Sequence, residues 1–181
     1  MNNELSRFWG FTYEGFVSDF LEGLRISSAD TILDIATGTA FIPAYLVRKG
    51  KPFKQIIGLD ITFQMLHNSR RNIDPQKIQQ PIGLVCASAH ELPLKKGSID
   101  LAICCLATHH MDLDLLLTNI HQCLVPGGYA HLADVGSSSK WKIGIVRFLI
   151  KSFAFIYFVF TENVARALAE SSAIANLHTS S

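Results

Sequence analysis

The chain has 181 residues, 49% of them apolar, and a formal net charge of +1. That length and apolar content fit one domain with a packed core. The near-neutral charge leaves no footprint of the kind a nucleic-acid partner selects, and the basic pairs Arg70-Arg71 and Lys95-Lys96 fit solvated helix ends or turns.

The polar start, Met1-Asn2-Asn3-Glu4, lacks the basic stretch and apolar block of a signal peptide. Phe16, Phe20, Leu21 and Leu24 then recur at helical spacing until Ser27-Ser28-Ala29-Asp30 breaks the pattern. Trp9, Phe11 and Tyr13 precede that helix and fit core packing better than a pocket wall. From residue 31 the period switches repeatedly. Strands are expected at 31–35, 55–59, 83–86, 100–105 and 129–135, with helices at 41–49, 63–72 and 113–124. Strands alternating with helices imply parallel pairing through right-handed crossovers, hence a doubly wound α/β sheet. The expected organisation is an N-terminal helical cap (1–30), a core (31–136) and a helical lid with a C-terminal helix (137–181), forming one domain.

Residues 141–160, "WKIGIVRFLIKSFAFIYFVF", test that reading, because they are long enough to suggest a membrane span. Arg147 and Lys151 near the middle each cost about 2.5–3.5 kcal/mol at a bilayer centre. With Lys140 they share one helical face, so a helix packed on the core or covering an oily pocket is favoured. An interfacial helix giving peripheral membrane contact is the second reading, and a true span the third. The four cysteines show neither a CxxC spacing nor a secreted framework, which fits reduced, buried thiols in a cytoplasmic protein.

In a doubly wound sheet, ligands sit beyond the carboxyl ends of the strands, at the switch point. The first strand ends in Asp34 and a small-residue loop, Ile35-Ala36-Thr37-Gly38-Thr39-Ala40. A dinucleotide-binding GxGxxG fails here because only Gly38 is present, and a P-loop fails because no Gly-Lys-Ser/Thr follows. Small residues still let a ligand approach the backbone. Asp34 at the mouth disfavours phosphate and suits an ammonium or sulfonium, which selects a cationic, phosphate-free nucleoside: S-adenosylmethionine rather than NAD or ATP. Asp60, ending the second strand, supplies a carboxylate that can accept from both ribose hydroxyls.

The segments "LDIATGTA", "GLDITFQML", "ASAHELPLKKGSIDLAICCLATHHM" and "LVPGGY" occur in the order seen in class I S-adenosylmethionine-dependent methyltransferases. The chain most resembles the ubiquinone/menaquinone-biosynthesis methyltransferase-like group over about residues 30–135. The resemblance implies a Rossmann-like methyltransferase fold in which Asp34, Ala36, Thr37 and Gly38 line the methionine end of the cofactor. It implies that Asp60 binds the ribose, that Ile61 packs on the adenine with Met65 nearby, and that Ser88-Ala89 meets the adenine edge. Cys105 and Leu106 would offer carbonyls to the ammonium, and Pro126-Gly127-Gly128 would form the turn into the fifth strand. Three departures stand out: Ala40 where a third glycine is usual, Ser88 where an acid is usual, and no candidate for the two further strands in residues 161–181. Either the chain is truncated, or a protein partner or second copy covers the fifth strand's edge.

Methyl transfer from a sulfonium needs mainly proximity, orientation and exclusion of water, with a general base only where the acceptor must lose a proton. His109 and His110, just past the fourth strand, are the candidate bases. Adjacent positions are expected to point apart, which argues against a two-His metal site there, and no metal is expected. His67, His90 and His121 read as ordinary surface or helix residues. The apolar run 143–160 suggests a lid over a small, hydrophobic acceptor. The alternative is a methyltransferase-like binding or partner module without catalysis.

Overall fold

The computed structural model describes residues 13–73, 78 and 81–134. The described residues fall into two compact units. One comprises those within Met1–Cys105 and Asp112–Ala133, the other those within Leu106–Met111 together with Asp134.

In the first unit the elements run α1 (Tyr13–Glu22), β1 (Thr31–Ile35), α2 (Phe41–Arg48), β2 (Gln55–Asp60), α3 (Phe63–Ser69), β3 (Ile82–Cys86), β4 (Ile99–Cys105), α4 (Leu113–Cys123) and β5 (Leu124–Ala133). All five strands are parallel, in the order β3-β2-β1-β4-β5. The order reverses between β1 and β4, which are neighbours though far apart in sequence, so the switch point lies at their carboxyl ends. Every residue of β1 is buried, and Ile32, Leu33, Leu101 and Ile103 on the two central strands are the heart of the core. Continuous burial is what a parallel strand covered on both faces requires.

The helical entry packs on this core. Val17 and Leu21 are buried, the Ser18 and Tyr45 hydroxyls lie 2.8 Å apart, and the Phe20 ring stacks on His131 of β5. His131 Nε2 donates to the Phe20 carbonyl, and the Tyr129 hydroxyl donates to that of Arg25. The break after the helix is a side-chain turn: Asp30 accepts from both the Ser27 N–H and its hydroxyl.

β5 begins earlier than its apolar alternation suggests. Leu124 pairs with Ile99 and Tyr129 with Leu101, so residues 125–128 bulge opposite the single residue Asp100. Gly127 takes φ 84°, and a side chain on Gly128 would lie 3.0 Å from the Asp100 and Val125 carbonyls. The Pro-Gly-Gly stretch is thus the turn into the regular part of the strand. Three thiols are buried as expected, whereas Cys86 is exposed because it ends β3, the strand at the sheet's edge. No helix among the described residues is long and apolar enough to cross a membrane. Residues 141–160, the expected lid and the candidate residues Trp9 and Phe11 lie outside the described residues.

Candidate functional site

The loop after β1 is shaped by alternating left-handed residues: Ala36 (φ 56°), Gly38 (φ 55°) and Ala40 (φ 56°). An L-side chain in that conformation costs about 1–2 kcal/mol, so two alanines hold strain where glycine would hold none. The loop is anchored over β2 by the Thr37 N–H, which donates to the Leu59 carbonyl at 2.9 Å. Gly58 makes the approach feasible, since a Cβ there would meet the Thr37 side chain at 3.0 Å. Backbone N–H groups in such loops can cradle anions. Here the Gly38 N–H is already committed to a protein anion, Asp60 Oδ2, at 2.8 Å.

Two carboxylates meet this loop. Asp34 sits in β1 opposite Gly58 of β2 and Ile103 of β4, only 2% exposed, and accepts from the Thr37 hydroxyl. Burial is the main cause that raises its pKa from 3.8 to about 7; the Thr37 hydrogen bond opposes the rise and the neighbouring Asp60 charge adds to it. Asp60, at the tip of β2, accepts from Gly38 N–H on one oxygen and from Thr62 N–H on the other, both at 2.8 Å. Each oxygen keeps a second lone pair. Among the described residues, no Lys or Arg pairs with either acid. Two acids at neighbouring strand tips, one of them held partly protonated chiefly by its burial, make a place that stabilises a cation and repels a phosphate.

Beside Asp60 the surface turns apolar. Ile61 is 72% exposed, Phe63 69% and Met65 38%, an unusual density for so short a stretch. The next station is tied to it through the Ala87 N–H, which donates to the Asp60 carbonyl. Ser88 caps its own turn, its hydroxyl accepting the His90 N–H at 3.1 Å, and Ala89 is buried. The Asn119 amide bonds the His90 carbonyl at 2.6 Å, and His90 Nε2 accepts the Asp112 N–H at 3.1 Å. His90 is therefore a link holding the loop to the start of α4 rather than an ordinary surface residue. Cys105, ending β4, is buried and in register with Ala133.

The second unit holds the candidate bases. Leu106 opens it at φ 56°, an unusual conformation for a bulky residue and one that concentrates at functional sites. Residues Thr108–His110 form a single 3-10 turn. His109 Nδ1 lies 2.9 Å from both oxygens of Asp134, which also accepts the His109 N–H at 2.8 Å and the Thr108 hydroxyl at 2.6 Å. The His109 and His110 rings are 4.0 Å apart, so the neighbours converge instead of diverging, because one tight turn carries both. Burial, then the His109 charge, lowers the His110 pKa, and Asp134 opposes the fall. Among the described residues, no group of three or more His, Cys, Asp or Glu side chains is arranged to hold a metal.

The structure joins Asp34, Thr37, Gly38 and Asp60 by direct hydrogen bonds, with Ile61 and Met65 following on the same segment. Sequence reasoning missed Gly58 and Asp134. The glycine interrupts the apolar middle of β2 opposite Asp34, and the acid directly follows β5, one residue beyond the register partner of Cys105. Both signals become meaningful only once the strand pairing is known.

Compared with known proteins, residues 33–132 match the methyltransferase domain family. The chain is 30% identical over 141 residues to the demethylmenaquinone methyltransferase of Lactobacillus johnsonii, covering 77% of this chain and 57% of the relative. Among solved structures it is similar to the YcgJ protein of Bacillus subtilis, with a TM-score of 0.67 at 18% identity, covering 77% of this chain and 58% of that one. It is also similar to an S-adenosylmethionine dependent methyltransferase from Mesorhizobium loti, with a TM-score of 0.53 at 26% identity over 62% of this chain and 50% of that one. The chain spans about half the length of the curated relatives it matches. With the strand order, the loop geometry and a match across more than half of its residues in agreement, the chain belongs to the methyltransferase domain family.

Proposed function

We propose that this chain binds S-adenosylmethionine at the carboxyl ends of β1 and β2 and transfers its methyl group to a small, hydrophobic acceptor. When bound, the cofactor supplies an electrophilic methyl group on a positively charged sulfur. The observation that carries the reading is the pair of acids at neighbouring strand tips, with Asp34 buried and its pKa raised to about 7. The residues suit the ligand's parts. The second lone pairs of the Asp60 oxygens are available to the ribose hydroxyls, and exposed Ile61 and Met65 offer an apolar seat for the adenine. Ser88 and Ala89 serve the adenine edge, and Asp34 lowers the energy of a nearby cation. Ala36 and Gly38 keep the loop small enough for close approach, and Cys105 contributes a backbone carbonyl at the tip of β4. The binding role of this chain is electrostatic selection and orientation, which suits an in-line displacement.

The hydrophobic acceptor is supported by the apolar run 143–160 and by the quinone named in the Lactobacillus johnsonii relative. A thermal-shift comparison tests the cofactor reading: S-adenosylmethionine should raise the melting temperature by mass action where NAD and ATP do not. Equal or larger shifts with NAD would overturn it. A panel of phenols and quinols against charged polar acceptors then tests the substrate class, and faster turnover on the polar set would refute it. Binding without turnover on any acceptor would favour the non-catalytic module.

A further inference from the structure

We infer that Asp134 is a positioning residue that fixes the tautomer of His109, leaving Nε2 as the atom that takes a proton from the methyl acceptor. This inference rests on the methyl-transfer reading and narrows it to acceptors whose nucleophilic atom carries a proton, such as a phenol or an activated carbon.

A carboxylate only accepts hydrogen bonds, so the 2.9 Å contacts to both Asp134 oxygens place the hydrogen on His109 Nδ1. The lone pair is then on Nε2. Asp134 cannot turn away, because its Oδ2 is held by two more donors, the Thr108 hydroxyl at 2.6 Å and the His109 N–H at 2.8 Å. A base oriented by a hydrogen-bonded acid is the arrangement general-base catalysis uses. Chain connectivity supports the assignment. His109 follows the end of β4 by four residues, and Asp134 directly follows β5, the strand paired to it. Loops after the carboxyl ends of parallel strands carry the chemistry in sheets of this type. The His110 ring lies tilted against that of His109, the centroids 4.0 Å apart.

The proton step is self-contained. The acceptor's X–H proton moves to Nε2, and its electron pair stays on X as the nucleophile. The imidazolium so formed is balanced by the Asp134 carboxylate and later returns its proton to water.

The two donors on Oδ2 make a sharp test. In Asp134→Asn they hold the amide oxygen, which turns the amide NH2 toward His109 Nδ1. The imidazole must then accept at Nδ1 and carry its hydrogen on Nε2, so the base is lost. Nitrogen-15 NMR of the imidazoles above pH 8, in the chain without ligands, reads this directly. The expected result is an Nδ1–H tautomer for His109 in the wild type and an Nε2–H tautomer in Asp134→Asn. Turnover of a phenolic acceptor should fall by about 100-fold or more in Asp134→Asn and in His109→Gln. The Kd for S-adenosylmethionine should stay within about threefold of wild type. An Nε2–H tautomer in the wild type overturns the inference even if Asp134→Asn fails to fold. So does full turnover in a folded Asp134→Asn. Failure of the cofactor to bind the wild type would instead sink the methyl-transfer reading, so the two failures are told apart.

Discussion

Replacing Asp34 with asparagine should make the protein more stable at alkaline pH and leave it little changed in acid. In the folded chain Asp34 holds its proton up to about pH 7, whereas an unfolded carboxyl lets go near 3.8. Between those values the folded state binds more protons than the unfolded one, so stability falls as pH rises. About three pH units of displacement, at about 1.4 kcal/mol each, amount to roughly 4 kcal/mol. That contribution is fully present below the unfolded value and gone above the folded one. Asp34→Asn keeps an oxygen to accept from the Thr37 hydroxyl and carries no charge to desolvate. Melting curves for the two proteins should therefore nearly coincide around pH 4 and separate by about 10 °C at pH 8, the variant being the more stable. Other titrating groups are common to both proteins and cancel in the difference. A gap that stays constant from pH 4 to pH 8 would refute the reasoning about Asp34.

Two loop substitutions probe the geometry that holds the acids together. Gly58→Ala pushes a methyl group to 3.0 Å from the Thr37 side chain, and crowding of this kind should cost about 1–3 kcal/mol in urea unfolding; an unchanged midpoint would contradict the close approach. Ala36→Gly relieves a left-handed alanine at the expense of backbone entropy, so a net gain of up to about 1 kcal/mol is expected in the same assay, and a clear loss would show the loop to be unstrained.

β1 matched its expected span residue for residue, because its β-branched and apolar residues lie between the side-chain turn at Ser27–Asp30 and the small-residue loop from Ala36. The expected helix at 63–72 ends sooner, at Ser69, since the N–H groups of Asn72 and Ile73 bond the Ser69 carbonyl in a closing turn and the Asn72 amide reaches over to the Thr39 carbonyl. The extra opening residues of β5 escaped notice for a related reason: a bulge opposite Asp100 has no periodic signature. Asp34, Gly38 and Asp60 were legible as chemistry at strand tips. Their mutual arrangement was not, because the Thr37 hydroxyl and the Gly38 N–H become partners of the two acids only after the loop folds over Gly58. His109 was legible as a candidate base, whereas its hydrogen-bond partner Asp134 was not, being 25 residues away and brought to it by tertiary structure.

Titration calorimetry with S-adenosylmethionine at pH 7, in two buffers of different ionisation enthalpy, tests the electrostatic basis of binding most directly. A cation beside Asp34 should drive off the proton that the buried acid holds, releasing about half a proton per site at this pH. Asp60→Ala should weaken binding by about 30-fold or more, the loss expected when charge-assisted hydrogen bonds to the ribose disappear. Saturable binding with proton release, weakened by that substitution, is the predicted result. No heat at millimolar ligand, or an unchanged affinity in Asp60→Ala, would contradict it.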